Sequence, residues 1–303
     1  MSYREGVEFD LETLEFSSYK GVNFDAYADE DLKSLWRKTL KTGMHGICFS
    51  MYEDGQQPGD TITEAQVERR IQTLNPYVKW IRSFSCTEGN EHIPQLAHKH
   101  GLKTLVGAWL SDDLEKNEEE INGLITLAND GCVDIAAVGN EVLYRNDLSL
   151  DELIAYMKRV RAAIPAHIPV GYVDAYYEFS SHPELVAHSD VILANCYPFW
   201  EGCPAEYALH HMQQMYGQAV DAAQGKKVII TETGWPSKGE PLKGSVPTEE
   251  NAMRYFINAQ TWSKKEQIEM FYFSSFDESW KVGPEGEVGA YWGLWDKNEK
   301  LKF

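Results

Sequence analysis

Eight short apolar runs recur along the chain, at 45–51, 78–84, 103–109, 132–138, 169–174, 190–196, 227–232 and 268–274, and the segments between them are long enough for helices. A strand covered on both faces has no polar side to alternate with, so such runs read as buried strands. Several connecting segments carry helical periodicity. In 149–164 the residues Leu153, Met157, Val160 and Ile164 repeat at four, three and four, and Ser149 with Glu152 makes a capping box at the start. In 248–262 the residues Met253, Phe256 and Ile257 share a face, and Thr248 caps after Pro247. Eight strands alternating with helices predict an α/β fold closed as a single (β/α)8 TIM barrel. An open doubly wound sheet gives the same alternation, but a usual mark of its nucleotide-binding versions, a G-x-G-x-x-G turn after the first strand, is absent. No repeat, linker or low-complexity tract marks a boundary, so one domain is expected over residues 1–303, with 1–20 as an N-terminal extension.

Composition narrows the partners. With 43% hydrophobic and 25% charged residues the chain is an ordinary folded protein. Its formal charge of -19 argues against nucleic acid and anionic membranes, which need a basic surface to offset their own charge, and favours a neutral ligand. No run of eighteen or more apolar residues occurs, so membrane insertion is not expected. The first six residues, Met1 to Gly6, carry no apolar signal segment. A cytoplasmic location is then expected, or a secreted or periplasmic one if an export signal has been removed. Cys48, Cys86, Cys132, Cys196 and Cys203 are too sparse for a disulfide scaffold; they read as buried small hydrophobes, with one bridge left open. The run Asp112 to Glu120 reads as the solvated first part of the helix after the third strand. No cofactor or metal is expected: His98, His100, His210 and His211 fall in helical segments away from strand ends, and no H-E-x-x-H occurs.

Two glutamates each follow an apolar run directly, Glu141 after Ile135–Asn140 and Glu232 after Val228–Thr231. In a barrel the carboxyl ends of all strands open onto one face, so these two side chains, far apart in the chain, can meet across one cleft. A pair of carboxyls, one protonated and one ionised, is what cleavage of a glycosidic bond requires. Metal ligands or surface residues are the competing readings of the same positions. The neighbours favour sugar chemistry. Asn140 offers an amide to a sugar hydroxyl, and Trp235 follows Glu232 closely. Other aromatics gather after strands, among them Trp109, Tyr144, Tyr176, Tyr177, Tyr197, Phe199, Trp200, Trp280, Trp292 and Trp295, either as sugar platforms or as core packing. After the last strand, Asp277, Glu278 and Lys281 either bind hydroxyls and tune the pair or close a salt bridge over the rim. Arg82, at the end of the second strand, is placed to hold Glu232 ionised.

At these residues the chain resembles glycoside hydrolase family 17, the β-1,3-glucanase and β-1,3-glucanosyltransferase family. The matching stretches are Val138-Gly139-Asn140-Glu141-Val142, Ile230-Thr231-Glu232-Thr233-Gly234-Trp235-Pro236-Ser237, Asn195-Cys196-Tyr197-Pro198-Phe199 and Phe276-Asp277-Glu278-Ser279-Trp280-Lys281. The likeness spans about residues 20 to 303, and the compact chain looks closer to bacterial or fungal members than to plant ones. The resemblance implies Glu141 as proton donor and Glu232 as nucleophile of a retaining mechanism. It puts Tyr197 and Phe199 along the cleft, and Glu278 and Lys281 in the network around the carboxylates. Ser279 stands where members typically carry Pro. The implied substrate is a neutral β-1,3-glucan such as laminarin, with water or a second sugar as acceptor; a carbohydrate-binding barrel without activity is the distant alternative.

Overall fold

Eight parallel strands close on themselves in sequence order: β1 (Met44–Cys48), β2 (Val78–Ser83), β3 (Lys103–Ala108), β4 (Ile135–Asn140), β5 (Val170–Ala175), β6 (Ile192–Asn195), β7 (Val228–Thr233) and β8 (Met270–Tyr272), with β8 returning to β1. This computed structural model describes residues 21–24 and 28–303, so the expected extension over 1–20 lies outside the described residues. The barrel predicted from the alternation is the observed fold. The fourth strand runs later than the apolar run at 132–138, because its carboxyl end is the polar pair Gly139 and Asn140. The eighth is regular only over three residues.

The helices are α1 (Asp29–Lys41), α2 (Glu64–Leu74), α3 (His92–Lys99), α4 (Leu114–Asn129), α5 (Val142–Arg145), α6 (Leu150–Ala163), α7 (Glu178–Ser181), α8 (Pro183–His188), α9 (Ala208–Ala222), α10 (Glu249–Lys265) and α11 (Val282–Glu285). Helix α1 precedes the first strand and packs on α10, where the buried Trp36 ring lies 5.3 Å from Phe256 and edge-on to Phe303 at 5.2 Å. The C-terminal residue thereby closes the ring of helices. Local signals in the sequence act as expected: the capping box of Ser149 and Glu152 starts α6, and the Thr248 side chain accepts from the Asn251 amide at the start of α10. All five cysteines are free, and four are buried.

The charged run before and within α4 is a correction. Asp113 caps the helix, as a solvated start would allow. Glu120, however, is 1% exposed and accepts from Ser85 Oγ (2.5 Å), Thr87 Oγ1 (2.6 Å), Cys86 N (2.8 Å) and Trp109 N (3.0 Å). It shares the buried face of α4 with Asn117, Ile121 and Leu124, and it satisfies the orphan donors of the loops after β2 and β3.

Register breaks occur between Ala137 and Asn140 on β4, between Ala194 and Asn195 on β6, and between Ile230 and Thr233 at the β7–β8 edge. Each lies at a carboxyl end, where a bulge re-aims the side chains that follow. The Ser149 cap is the simplest local test of how this scaffold is held. Ser149→Ala is expected to lower stability by about 1 kcal/mol, read as a shift in the urea denaturation midpoint; an unchanged midpoint would mean that packing alone defines the start of α6.

Candidate active site

Glu232 is the fifth residue of β7, and Glu141 immediately follows β4. Both are buried, at 6% and 2% exposure. A single amide joins them: Asn195 Nδ2, at the end of β6, donates to Glu141 Oε1 at 2.9 Å and to Glu232 Oε1 at 3.1 Å. The orientation of this amide follows from its other contact, since Thr231 Oγ1 donates to Asn195 Oδ1 at 2.8 Å and turns the NH2 group toward the carboxylates. The two N–H bonds of an amide diverge by about 120°, so bonds of these lengths set the two bonded oxygens about 5 Å apart, and their sum bounds the separation of these two atoms at about 6 Å. That lies within the spacing of roughly 5 to 5.5 Å for a carboxylate that attacks directly, and below the roughly 6.5 Å needed to admit a water between them.

Glu232 is held on both oxygens. Arg82 Nη1 donates to its Oε1 at 2.7 Å, and Tyr197 Oη to its Oε2 at 2.8 Å. The Arg82 guanidinium is 2% exposed, donates from Nη2 to Asn140 Oδ1 at 2.7 Å, and lies 4.2 Å from the centre of the Phe84 ring. Burial is the largest influence and works against its charge, but Glu232 and Cys48 together outweigh that cost and raise its pKa above the usual arginine value. Cys48 sits beneath this pair, its Sγ 3.5 Å from Arg82 Nη1, and burial pushes its thiol up to about 12, so it stays neutral.

Glu141 occupies a left-handed backbone conformation, φ 52° and ψ 31°, at the start of α5. A side chain other than glycine costs roughly 1 to 3 kcal/mol there and persists only where neighbours impose it. Here its own N–H donates to Val173 O (2.8 Å) on β5, Arg145 N returns to Glu141 O (2.9 Å), and Arg145 Nη1 donates to Asn140 O (2.6 Å). Gly139, two residues before it, takes φ 86°, a conformation open to glycine. The sharp turn lifts the carboxyl into the mouth rather than along the strand.

The remaining candidates divide. Glu278 and Lys281 form a buried ion pair at 2.6 Å, with Lys281 Nζ 4.4 Å from the centre of the Phe273 ring. Burial opposes the Lys281 charge, and Glu278, Glu285 and Glu232 together overcome it. Trp280 is half-buried and meets Tyr52 edge-on at 5.9 Å, so the loops after β1 and β8 share an aromatic wall. Asp277 turns away from the carboxylates and pairs with Lys302 at 2.7 Å, the rim-closing alternative.

Trp235 and Phe199 are corrections. They are 1% and 0% exposed and pack edge-to-face on each other at 5.2 Å; Trp235 Nε1 donates to Val246 O, and neither presents an open ring face to a sugar. Their indole and phenyl rings back the cleft wall formed by Trp292, Trp200 and Tyr197. Sequence reasoning also passed over Asn195 as a site residue, together with Phe273. Asn195 stands inside a quoted motif and ends a strand, which was the available signal. Three of the four histidines named above hold a carboxylate, His98 on Asp134, His100 on Glu68 and His211 on Glu201. A cavity of about 500 Å³ lined by Trp80, Lys103 and His167 lies at the amino ends of the strands, away from this chemistry.

A family model described as the BtgE/BtgC glycoside hydrolase domain matches residues 46–293. A glucan 1,3-beta-glucosidase of Candida albicans is 26% identical over 261 residues, covering 78% of this chain and 84% of the relative. Its counterpart in Schizosaccharomyces pombe is 29% identical over 251 residues, covering 77% and 78%. The crystal structure of a glycoside hydrolase family 17 β-1,3-glucanosyltransferase from Rhizomucor miehei matches with a TM-score of 0.78 and 29% identity, over 86% of this chain and 96% of that one; an active-site mutant of that enzyme has been solved with laminaritriose.

The Asp277–Lys302 pair ties the C-terminus to the site's rim, since Lys302 Nζ also donates to Ser237 Oγ (2.9 Å) and Asp277 Oδ1 accepts from Gly293 N (2.9 Å). Burial outweighs Lys302 and lifts the Asp277 carboxyl to about 6, above the ordinary 3.8. A folded-state pKa above the unfolded one means that the folded protein binds this proton more tightly, so the contribution is full below about pH 4 and is lost as pH rises through 6. The loss amounts to at most about 3 kcal/mol. In Asp277→Asn this slope should vanish: relative to the parent protein, its denaturation midpoint should improve steadily between pH 4 and 7. A constant offset across that range would show that the carboxyl is not the titrating group.

Proposed function

Because this chain belongs to the BtgE/BtgC glycoside hydrolase family, within glycoside hydrolase family 17, we propose that it cleaves β-1,3-glucosidic linkages of a β-1,3-glucan with retention, Glu232 acting as nucleophile and Glu141 as acid/base. The observation that carries this reading is the Asn195 amide, which holds the two carboxyls too close for an intervening water and at the right spacing for direct attack. Glu232 has a buried guanidinium on one oxygen and a phenol on the other, as suits an ionised nucleophile, and Glu141 accepts from the same Asn195 amide that bonds Glu232.

In the first step Glu232 attacks the anomeric carbon, the bond to the leaving oxygen breaks, and Glu141 gives its proton to that oxygen. In the second, Glu141 takes a proton from the incoming acceptor, whose oxygen displaces Glu232. Asn140 has its carbonyl engaged by Arg82, which leaves its NH2 to donate to a hydroxyl of the bound sugar. Phe273 and Lys281 line the same mouth, and Trp280 with Tyr52 offers apolar surface for sugar C–H faces farther out. The whole site acts on a neutral glucan and needs no cofactor or metal in this mechanism.

Transfer to a second sugar is the alternative outcome of the second step, and the family 17 glucanosyltransferase named above supports keeping it. Glu232→Ala should reduce turnover on laminari-oligosaccharides by on the order of a thousandfold or more while glucan binding persists. With azide, Glu141→Ala should recover activity and release a β-glucosyl azide; an α-product, or no rescue, would reverse or remove the assignment. Products longer than the substrate at early times identify transfer, and exclusively shorter ones exclude it. Cleavage of a β-1,4-glucan but not of laminarin would overturn the linkage.

A further inference from the structure

We propose that Arg70, with Gln66 beside it, is a positioning residue for sugar binding: from α2 it holds the loops after β1 and β8 together, so that Tyr52 and Trp280 form a fixed wall for the part of the glucan that stays with Glu232. The inference rests on the β-glucan reading above, with Glu232 as nucleophile and Glu141 as acid/base. Gln66 and Arg70 are four apart on α2, so they lie on one face of it, and both are buried. Between them they take up three successive carbonyls of the β1 loop. Arg70 Nη1 donates to Ser50 O at 2.8 Å and to Tyr52 O at 3.1 Å, and Gln66 Nε2 donates to Met51 O at 2.8 Å. The chain leading into Tyr52 is thereby pinned residue by residue. The same guanidinium lies 4.5 Å from the centre of the Phe276 ring, in the β8 loop that carries Trp280. One cation therefore bears on both halves of the wall, where Tyr52 meets Trp280 edge-on at 5.9 Å. Two further bonds join the same loops: Ser50 N donates to Ser275 Oγ at 2.8 Å, and Ser279 Oγ donates to Asp54 Oδ1 at 2.6 Å.

Arg70 is 0% exposed, and a charge so placed needs a partner. Glu299 supplies it from the C-terminal segment, its Oε1 accepting from Arg70 Nε at 3.1 Å and from Arg69 Nη2 at 2.9 Å. An apolar side chain of the same size would fill this space at no cost in desolvation; what the guanidinium adds is direction, through bonds to named carbonyls. The side of the cleft follows from the chemistry. Glu141 gives its proton to the departing oxygen, so the departing sugar lies toward β4. In a closed barrel of eight strands taken in order, β8 and β1 stand across from β4 and β5. The wall thus serves the glucosyl units that remain with Glu232, beyond the one that reacts. An aromatic surface already fixed there can meet sugar C–H faces without paying for its own ordering.

Aryl β-laminariosides isolate this side, because all their glucosyl units lie on the retained side of the bond that breaks. In the unsubstituted protein kcat/KM should rise by about tenfold or more from one glucosyl unit to three. Arg70→Met fills the space without the directed bonds and leaves Glu299 with Arg69. It should lower kcat/KM on the three-unit glycoside by about tenfold and change that on the one-unit glycoside by no more than about twofold. Arg70→Lys, able to reach a single carbonyl, should recover part of the loss. Gln66→Met keeps the buried cation and should lose about threefold on the three-unit glycoside alone; it decides the matter if Arg70→Met does not fold. Absence of any gain with length in the unsubstituted protein overturns the wall, and equal losses on both glycosides overturn the positioning role. A loss confined to transfer onto added laminaribiose places the wall on the departing side and overturns its assignment. If the unsubstituted protein cleaves neither these glycosides nor laminari-oligosaccharides, the β-glucan reading itself has failed; if it cleaves them and the gain with length persists in Arg70→Met, only the role of Arg70 has.

Discussion

A guanidinium inside a barrel is tolerated only when its charge is matched, because transfer of an isolated ion from water costs several kcal/mol. Arg82 meets that demand with Glu232 and Asn140, and in doing so links β2 to β7 and β4 across the mouth. Asn195 adds β6 to the same chain of bonds. Every member has a second contact that fixes its direction: Thr231 on Asn195, Phe84 under Arg82, Tyr197 on Glu232. Loss of any one strands a buried polar group, so the network specifies a single arrangement. Catalytic spacing is thus a property of the hydrogen-bond chain as much as of the backbone.

The barrel supplies parallel strands of regular pleat, and a regular pleat alone would point successive side chains alternately inward and outward. The register breaks on β4, β6 and β7 change that at the carboxyl ends. Asn140 and Glu141 are consecutive, yet Asn140 reaches Arg82 while Glu141 reaches Asn195. The left-handed turn at Glu141 makes this possible, and its cost is met by bonds from β5 and Arg145. Strain is concentrated where two adjacent residues must serve one cleft.

Fold and carboxylate pair were legible in the chain because both depend on local pattern. Strand runs were countable, and Glu141, Glu232 and Arg82 each closed one. What was not legible depends on direction. An aromatic after a strand has the same sequence context whether it faces the cleft, as the Tyr197 hydroxyl does, or the layer behind it, as Phe199 and Trp235 do. Bulges decide between them, and bulges leave little trace in residue type. Glu120 sat in a run of charges that looks solvated, and only its phase with Ile121 and Leu124 on α4 pointed inward.

In the proposed mechanism the fate of the glucosyl unit on Glu232 follows from a competition that neither carboxylate decides. Both acceptors would lose their proton to Glu141 and displace Glu232 from the same side, so the chemical groups are common to hydrolysis and transfer. Water reaches a site of this kind without help, whereas a sugar must bind. Its advantage comes from apolar and hydroxyl contacts made on the acceptor side, which lower the entropy lost in the reacting complex. The outcome is therefore governed by the surfaces beyond Glu141, built on loops, and these are free to vary while the Arg82, Asn195 and Tyr197 contacts to Glu232 stay constant. A family holding both glucosidases and glucanosyltransferases on one barrel is what such a division of labour produces.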